Sequence, residues 1–137
     1  MKNKIIIGID PGKQTGLAFA IDGKITELCT VDFWTAYDRV RMWAPECVEI
    51  HIEDTSDLPV IGRPHTNRHA HGKIGRNVGG VCREAELLIS GFRRLGYTVI
   101  PHRNKKSSKM DAKTFNRITG WEGRTNQHQR DAAVLVI

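Results

Sequence analysis

The sequence has no long apolar run, no paired cysteines and few aromatic residues, and each shortage removes a class of protein. No segment approaches the roughly 18 apolar residues that a membrane span requires, so no bilayer-crossing helix is expected. The three cysteines, Cys29, Cys47 and Cys82, are odd in number and widely spaced. They form neither a CxxC zinc pair nor a disulfide framework, and read as reduced thiols in or near a core, in a cytoplasmic setting. Met1-Lys2-Asn3-Lys4 runs straight into a strand-like segment without a small-residue cleavage site, so no secretory signal is expected. Trp34, Trp43 and Trp121 are too scattered to make a base-stacking platform and suit core or interface packing better. Repeats and low-complexity stretches are also missing. At 137 residues the chain suits a single domain, with enough length to bury a core.

What is present is charge, unevenly placed. Residues 1–61 carry 6 Lys/Arg against 10 Asp/Glu, whereas residues 62–137 carry 15 against 5. An acidic front suits a divalent cation, and a basic back suits a polyanion. With a pI near 9.5, nucleic acid is the expected partner. Arg63, Arg68, Lys73, Arg76, Arg103, Lys105, Lys106 and Lys109 are the candidates for phosphate contacts. Arg83, Arg93 and Arg94 read as solvation of a helix. His65, His69 and His71 lie in a loop without cysteine or a neighbouring carboxylate, which argues against zinc and for contacts to phosphate or base edges.

Hydrophobic patterning gives the order β-β-β-α-β-α-β-α-α. The β-branched run Lys4–Ile9 reads as a central strand covered on both faces. Asp10-Pro11-Gly12 turns the chain into a second strand over Thr15–Ile21, and Asp22-Gly23 marks a tight hairpin into Lys24–Val31. Asp32 is placed to cap a helix reaching about Trp43, with Trp34, Tyr37, Val40 and Trp43 inward. Val48–Glu53 alternates cleanly as a fourth strand, and the preceding crossover makes it a parallel neighbour of the first. Residues 54–74 form a loop without a period. Val78, Val81, Ala85, Leu88, Ile89, Phe92 and Leu95 fall at helical spacing, closed by Gly96. A fifth strand, Tyr97–Ile100, ends at Pro101. Helices follow over Met110–Ile118, with Asp111 at its start, and Gln127–Ile137. The result is an α/β fold with a mixed five-stranded sheet of order 3-2-1-4-5 flanked by helices.

In that arrangement Asp10 and Glu53 emerge side by side at the carboxyl ends of parallel neighbours, the edge where open α/β sheets place their sites. Alternation selects Glu53 over Asp54, with Asp57 a weaker choice. His128 and Asp131 lie three residues apart on one face of the last helix, which would bring both to the same edge. Carboxylates gathered without a basic partner repel one another unless a cation lies among them. Hard oxygen ligands with room for phosphate oxygens describe Mg²⁺, with Mn²⁺ as a substitute. Two such ions roughly 3.5–4 Å apart would serve a phosphodiester displacement. Gly8-Ile-Asp-Pro-Gly12-Lys13 is one residue short of a nucleotide-binding loop, and Gln14 stands where that loop needs Ser or Thr. No nucleotide cofactor is expected. An ATP-clamping phosphotransferase would also need a second domain.

Three blocks together resemble the RuvC-type Holliday junction resolvases of the ribonuclease H-like superfamily. Ile5-Ile-Ile-Gly-Ile-Asp-Pro-Gly-Lys-Gln-Thr-Gly-Leu-Ala-Phe19 is similar to their opening strand and hairpin. His51-Ile-Glu53 is similar to their second acidic strand. His128-Gln-Arg-Asp131-Ala-Ala resembles their C-terminal helix. The resemblance implies a metal-dependent endonuclease that resolves branched DNA as a homodimer. Asp10, Glu53 and Asp131 would hold metal, and His128 would ligate a second ion or orient water. The chain ends six residues after Asp131, and residues 54–76 are richer in basic and His residues than the pattern. Both departures bear on substrate and dimer geometry. Cleavage of RNA in an RNA–DNA hybrid, or nucleic-acid binding without cleavage, are the competing expectations.

Overall fold

The computed structural model describes residues 4–54, 83–103 and 109–137. Its strands are β1 (Ile5–Asp10), β2 (Thr15–Ile21), β3 (Lys24–Val31), β4 (Val48–Asp54) and β5 (Thr98–Arg103). The helices are α1 (Phe33–Arg41), α2 (83–94 within the described residues), α3 (Ala112–Thr119) and α4 (Gln127–Val134). A 3₁₀ turn over Pro45–Cys47 leads into β4. The five strands form one sheet in the order β3-β2-β1-β4-β5. The opening meander is antiparallel, and β4 and β5 run parallel to β1. This is the order and orientation that the patterning predicts.

The hairpin between β2 and β3 turns at Asp22 and Gly23, both with positive φ (51° and 78°), a backbone hand that matches strand twist. The sheet is covered on both faces because β1 alternates between two cores. Ile5, Ile7 and Ile9 join Leu17, Phe19, Val48, Ile50 and Ile52 under α1 and α2, where Ala36, Val40, Leu88 and Phe92 are buried. Tyr37 stacks on Phe92 with ring centroids 5.4 Å apart, fixing α1 against α2. On the opposite face Ala18 and Ala20 meet Ala132, Ala133 and Phe115 from α4 and α3. Among the described residues no helix is long and apolar enough to cross a membrane.

Several local expectations need correction. Trp34 is 69% exposed and Trp43 41%, because α1 presents Ala36 and Val40 to the sheet and the indoles fall outside that stripe. Leu95 is exposed because it lies in the turn beyond α2 and not on its inner face. Pro101 does not end β5 but sits inside it, opposite Ile52. Among the described residues β5 is an edge strand, so a residue without an N–H can lie there with no ladder bond lost on the open side. Helix α3 starts at Ala112 instead of Met110 and is closed by Gly120, whose φ is 73°, while α4 stops at Val134, short of the expected Ile137. Cys29 and Cys47 are free and half-buried, while Cys82, Val78, Val81 and the expected loop from residue 55 onward lie outside the described residues.

Candidate metal centre

The parallel register of β1 with β4 runs to Ile9 beside Ile52, so the next residues, Asp10 and Glu53, leave adjacent strand ends together. Ile9 and Ile52 turn into the core, and alternation sends Asp10 and Glu53 to the other face. There the two carboxyl groups lie within hydrogen-bonding reach of each other. Asp10 is 8% exposed. Burial, the largest cause in each case, together with the charge of Asp131, pushes Asp10 up to about 6 and Glu53 up to about 8. Two touching carboxyl groups, one buried and one half-buried, cannot both ionise cheaply, so the pair retains a proton, held more tightly by Glu53.

The third contributor arrives because two glycines, Gly8 and Gly16, let the backbone of α4 come close to the sheet. A methyl group at Gly16 would collide with the carbonyl of His128, and one at Gly8 with the carbonyl of Ala132. Gly16 is also the register partner of Asp10. The backbone of the first turn of α4 therefore rests directly beside Asp10. Asn126 starts that helix with a capping box shared with Gln129, and its side-chain amide donates to Thr30 Oγ1 on β3 at 2.7 Å. This anchoring brings His128 Nδ1 to 3.2 Å from Asp10 Oδ2 and places Asp131 where both acidic partners feel its charge.

Asp131 has its own partners. Gln127 Nε2 donates to its Oδ1 at 2.7 Å, and Lys109 Nζ lies 4.0 Å from its Oδ2. Among the described residues no three His, Cys, Asp or Glu side chains are disposed to hold an ion as they stand. A retained proton and the Lys109 ammonium moderate the negative charge instead. The donor chemistry nevertheless suits a hard divalent cation: three carboxyl groups and an imidazole, from three distant segments, at one partly open sheet edge. Asp10 and Glu53, paired across one proton, and Asp131 are the residues that could hold it.

Asp10, Glu53, His128 and Asp131, the four site residues expected from the sequence, thus lie in one neighbourhood. Of the expected phosphate contacts, Lys109 is exposed and stands at the acidic edge, a placement its sequence context did not suggest. Arg103 is exposed at the end of β5 and has contacts of its own. Arg63, Arg68, Lys73, Arg76, Lys105 and Lys106 lie outside the described residues, as do His65, His69, His71 and Asp57.

Patterning missed a polar row on the same face. Lys4 pairs with Glu49, Glu49 Oε1 lies 2.7 Å from His51 Nε2, and His51 Nδ1 lies 2.7 Å from His102 Nε2. The register sets His102 beside Glu53, so the row ends at the acidic pair. Strand alternation placed His51 on this face, but nothing local in the sequence pairs it with a residue 51 positions away. Comparison with protein-family models and with curated proteins finds no match for this chain.

Proposed function

We propose that this protein is a divalent-metal-dependent endonuclease that cuts branched DNA, four-way junctions above all, in the manner of the RuvC-type resolvases its sequence resembles. The observation that carries the reading is the meeting of Asp10, Glu53, Asp131 and His128 at one sheet edge. A carboxyl pair with one member buried and the other half-buried is costly to a fold, and raised pKa values of this origin cluster at functional sites. Asp10, Glu53 and Asp131 would hold two Mg²⁺ ions, or Mn²⁺ in their place. Bound there, the ions would supply charge neutralisation at the scissile phosphate and lower the pKa of the attacking water.

The remaining work falls to the chain's own groups. Asp10 and Glu53 would give up their shared proton to solvent on taking a metal ion between them. His128 hydrogen-bonds Asp10 through Nδ1 and is half exposed, leaving Nε2 to orient a water or accept its proton. Water adds to phosphorus and a phosphodiester P–O bond breaks, leaving phosphate on one strand end and hydroxyl on the other. Lys109, Arg103 and the basic positions between and before them neutralise the phosphates of the DNA arms. A four-way junction presents two equivalent strands, which suits two copies of the chain acting as a homodimer.

The test is Asp10→Asn. The variant should bind a labelled junction as tightly as the wild type and fail to nick it in Mg²⁺. Full nicking activity in Asp10→Asn would refute the assignment. Junction binding by a wild type that never cuts, in Mg²⁺ or Mn²⁺, would favour a binding module.

A further inference from the structure

The geometry points to Gln127 and Arg130 as positioning residues that hold Asp131 so that a single carboxylate oxygen, Oδ2, is presented to a divalent cation; this rests on the metal-dependent reading above. Gln127 Nε2 donates to Asp131 Oδ1 at 2.7 Å. An i, i+4 amide–carboxylate pair is by itself an ordinary helix-surface contact. What sets this one apart is the group behind it. The Gln127 Oε1 accepts from Arg130 Nη2 at 3.1 Å. Arg130 in turn donates from Nε to the Met110 carbonyl at 2.9 Å, and from Nη1 to both the carbonyl and the hydroxyl of Thr125 at 2.8 Å.

The guanidinium is thus pinned to two fixed backbone oxygens outside α4 and to one side-chain hydroxyl. It carries only donors, and an ionised carboxylate carries only acceptors. Gln127 can bridge them in one orientation alone, with Oε1 toward Arg130 and NH₂ toward Asp131. Turning the amide over would set donor against donor and acceptor against acceptor. The bracket therefore fixes both the amide and the carboxylate it grips. With Oδ1 taken, Oδ2 faces the Lys109 side. The same guanidinium also anchors Met110, the neighbour of Lys109, so the lysine and the carboxylate are held in register by one side chain. Outer groups that fix a ligand in this way typically contribute 10–100-fold to metal affinity.

The experiment is calorimetric titration of the full chain with Mn²⁺ alone, comparing wild type, Gln127→Leu, Arg130→Lys and Asp10→Asn. Gln127→Leu keeps the side-chain volume and removes both halves of the bridge. It should weaken Mn²⁺ binding about 10–100-fold, with metal-free melting temperature and junction binding in EDTA unchanged. Arg130→Lys keeps the charge but cannot span the same acceptors, and should weaken Mn²⁺ binding in the same direction. It should also remove the exchange protection of the Gln127 side-chain amide protons, which a purely structural role for Arg130 would not do. Wild-type Mn²⁺ affinity in Gln127→Leu, while Asp10→Asn loses the ion, would overturn the bracket alone. Wild-type protein that binds no Mn²⁺, or that binds it as Asp10→Asn does, would overturn the bracket together with the metal site.

Discussion

Replacing Asp10 by Asn should stabilise the metal-free protein at high pH and leave it nearly unchanged at low pH. Asp10 is raised from 3.8 to about 6 and Glu53 from 4.5 to about 8, in each case chiefly by burial. Both folded-state values lie above the unfolded ones, so the folded chain binds protons more tightly. Near pH 4 the pair is protonated in the folded state and about half protonated in the unfolded state, so only a small part of the stability is lost. Between about pH 4 and pH 8 the unfolded chain ionises freely, while the folded chain must keep its protons or tolerate adjacent charges. Metal-free stability therefore falls as pH rises through this window. A rise of about two units on Asp10 corresponds to at most about 3 kcal/mol. Sharing of the proton with Glu53 and the open side of the pocket reduce this to about 1–2 kcal/mol, or several degrees of melting temperature. The assay is a thermal melt in EDTA at pH 4 and at pH 8.5. Asp10→Asn should melt several degrees above wild type at pH 8.5, with the gap closing at pH 4. A variant less stable than wild type at pH 8.5, or offset equally at both pH values, would refute the reasoning.

Three further outcomes follow from the same geometry. Gly16→Ala drives a methyl group into the His128 carbonyl, so it should cost about 1–3 kcal/mol and lower nicking more than junction binding; a fully active, equally stable variant would show that α4 tolerates displacement. Mg²⁺ or Mn²⁺ should raise the melting temperature of wild type most at pH 8, where the carboxyl pair is costliest to keep, and should do little for Asp10→Asn, as dye-monitored melts would report. Junction affinity should fall steeply with salt, by about 10³-fold between 50 and 200 mM if six or more phosphates are neutralised, and Lys109→Ala should reduce the slope of log affinity against log salt by about 1.

Much of this architecture is legible in the sequence because it depends on local patterns that tertiary context reinforces. The isoleucine-rich run before Asp10, short and closed by Pro11-Gly12, reads as a strand covered on both faces. Asp22-Gly23 supplies the positive φ values its hairpin needs, and the alternation of Val48 to Glu53 decides which carboxyl group meets Asp10. Where packing decides, the sequence is less informative. The indoles of Trp34 and Trp43 lie outside the inner stripe because small Ala36 suffices against the sheet. Pro101 is compatible with a strand only because β5 is at an edge. The Gln127–Arg130 bracket and the His51–His102 contact join residues by side-chain geometry that no spacing encodes. The place of Lys109 beside Asp131 depends on how 109–111 is tied to α4, which charge clustering alone assigns to DNA.

A single cleavage panel would test the central claim most directly: labelled four-way junction, fork, flap, linear duplex and RNA–DNA hybrid, each incubated with wild type and Asp10→Asn in Mg²⁺, Mn²⁺ or EDTA. Symmetric nicking of the four-way junction by wild type, dependent on the metal and absent in Asp10→Asn, is the predicted result. Cleavage that survives EDTA, persists in Asp10→Asn, or is confined to the RNA–DNA hybrid would contradict the account.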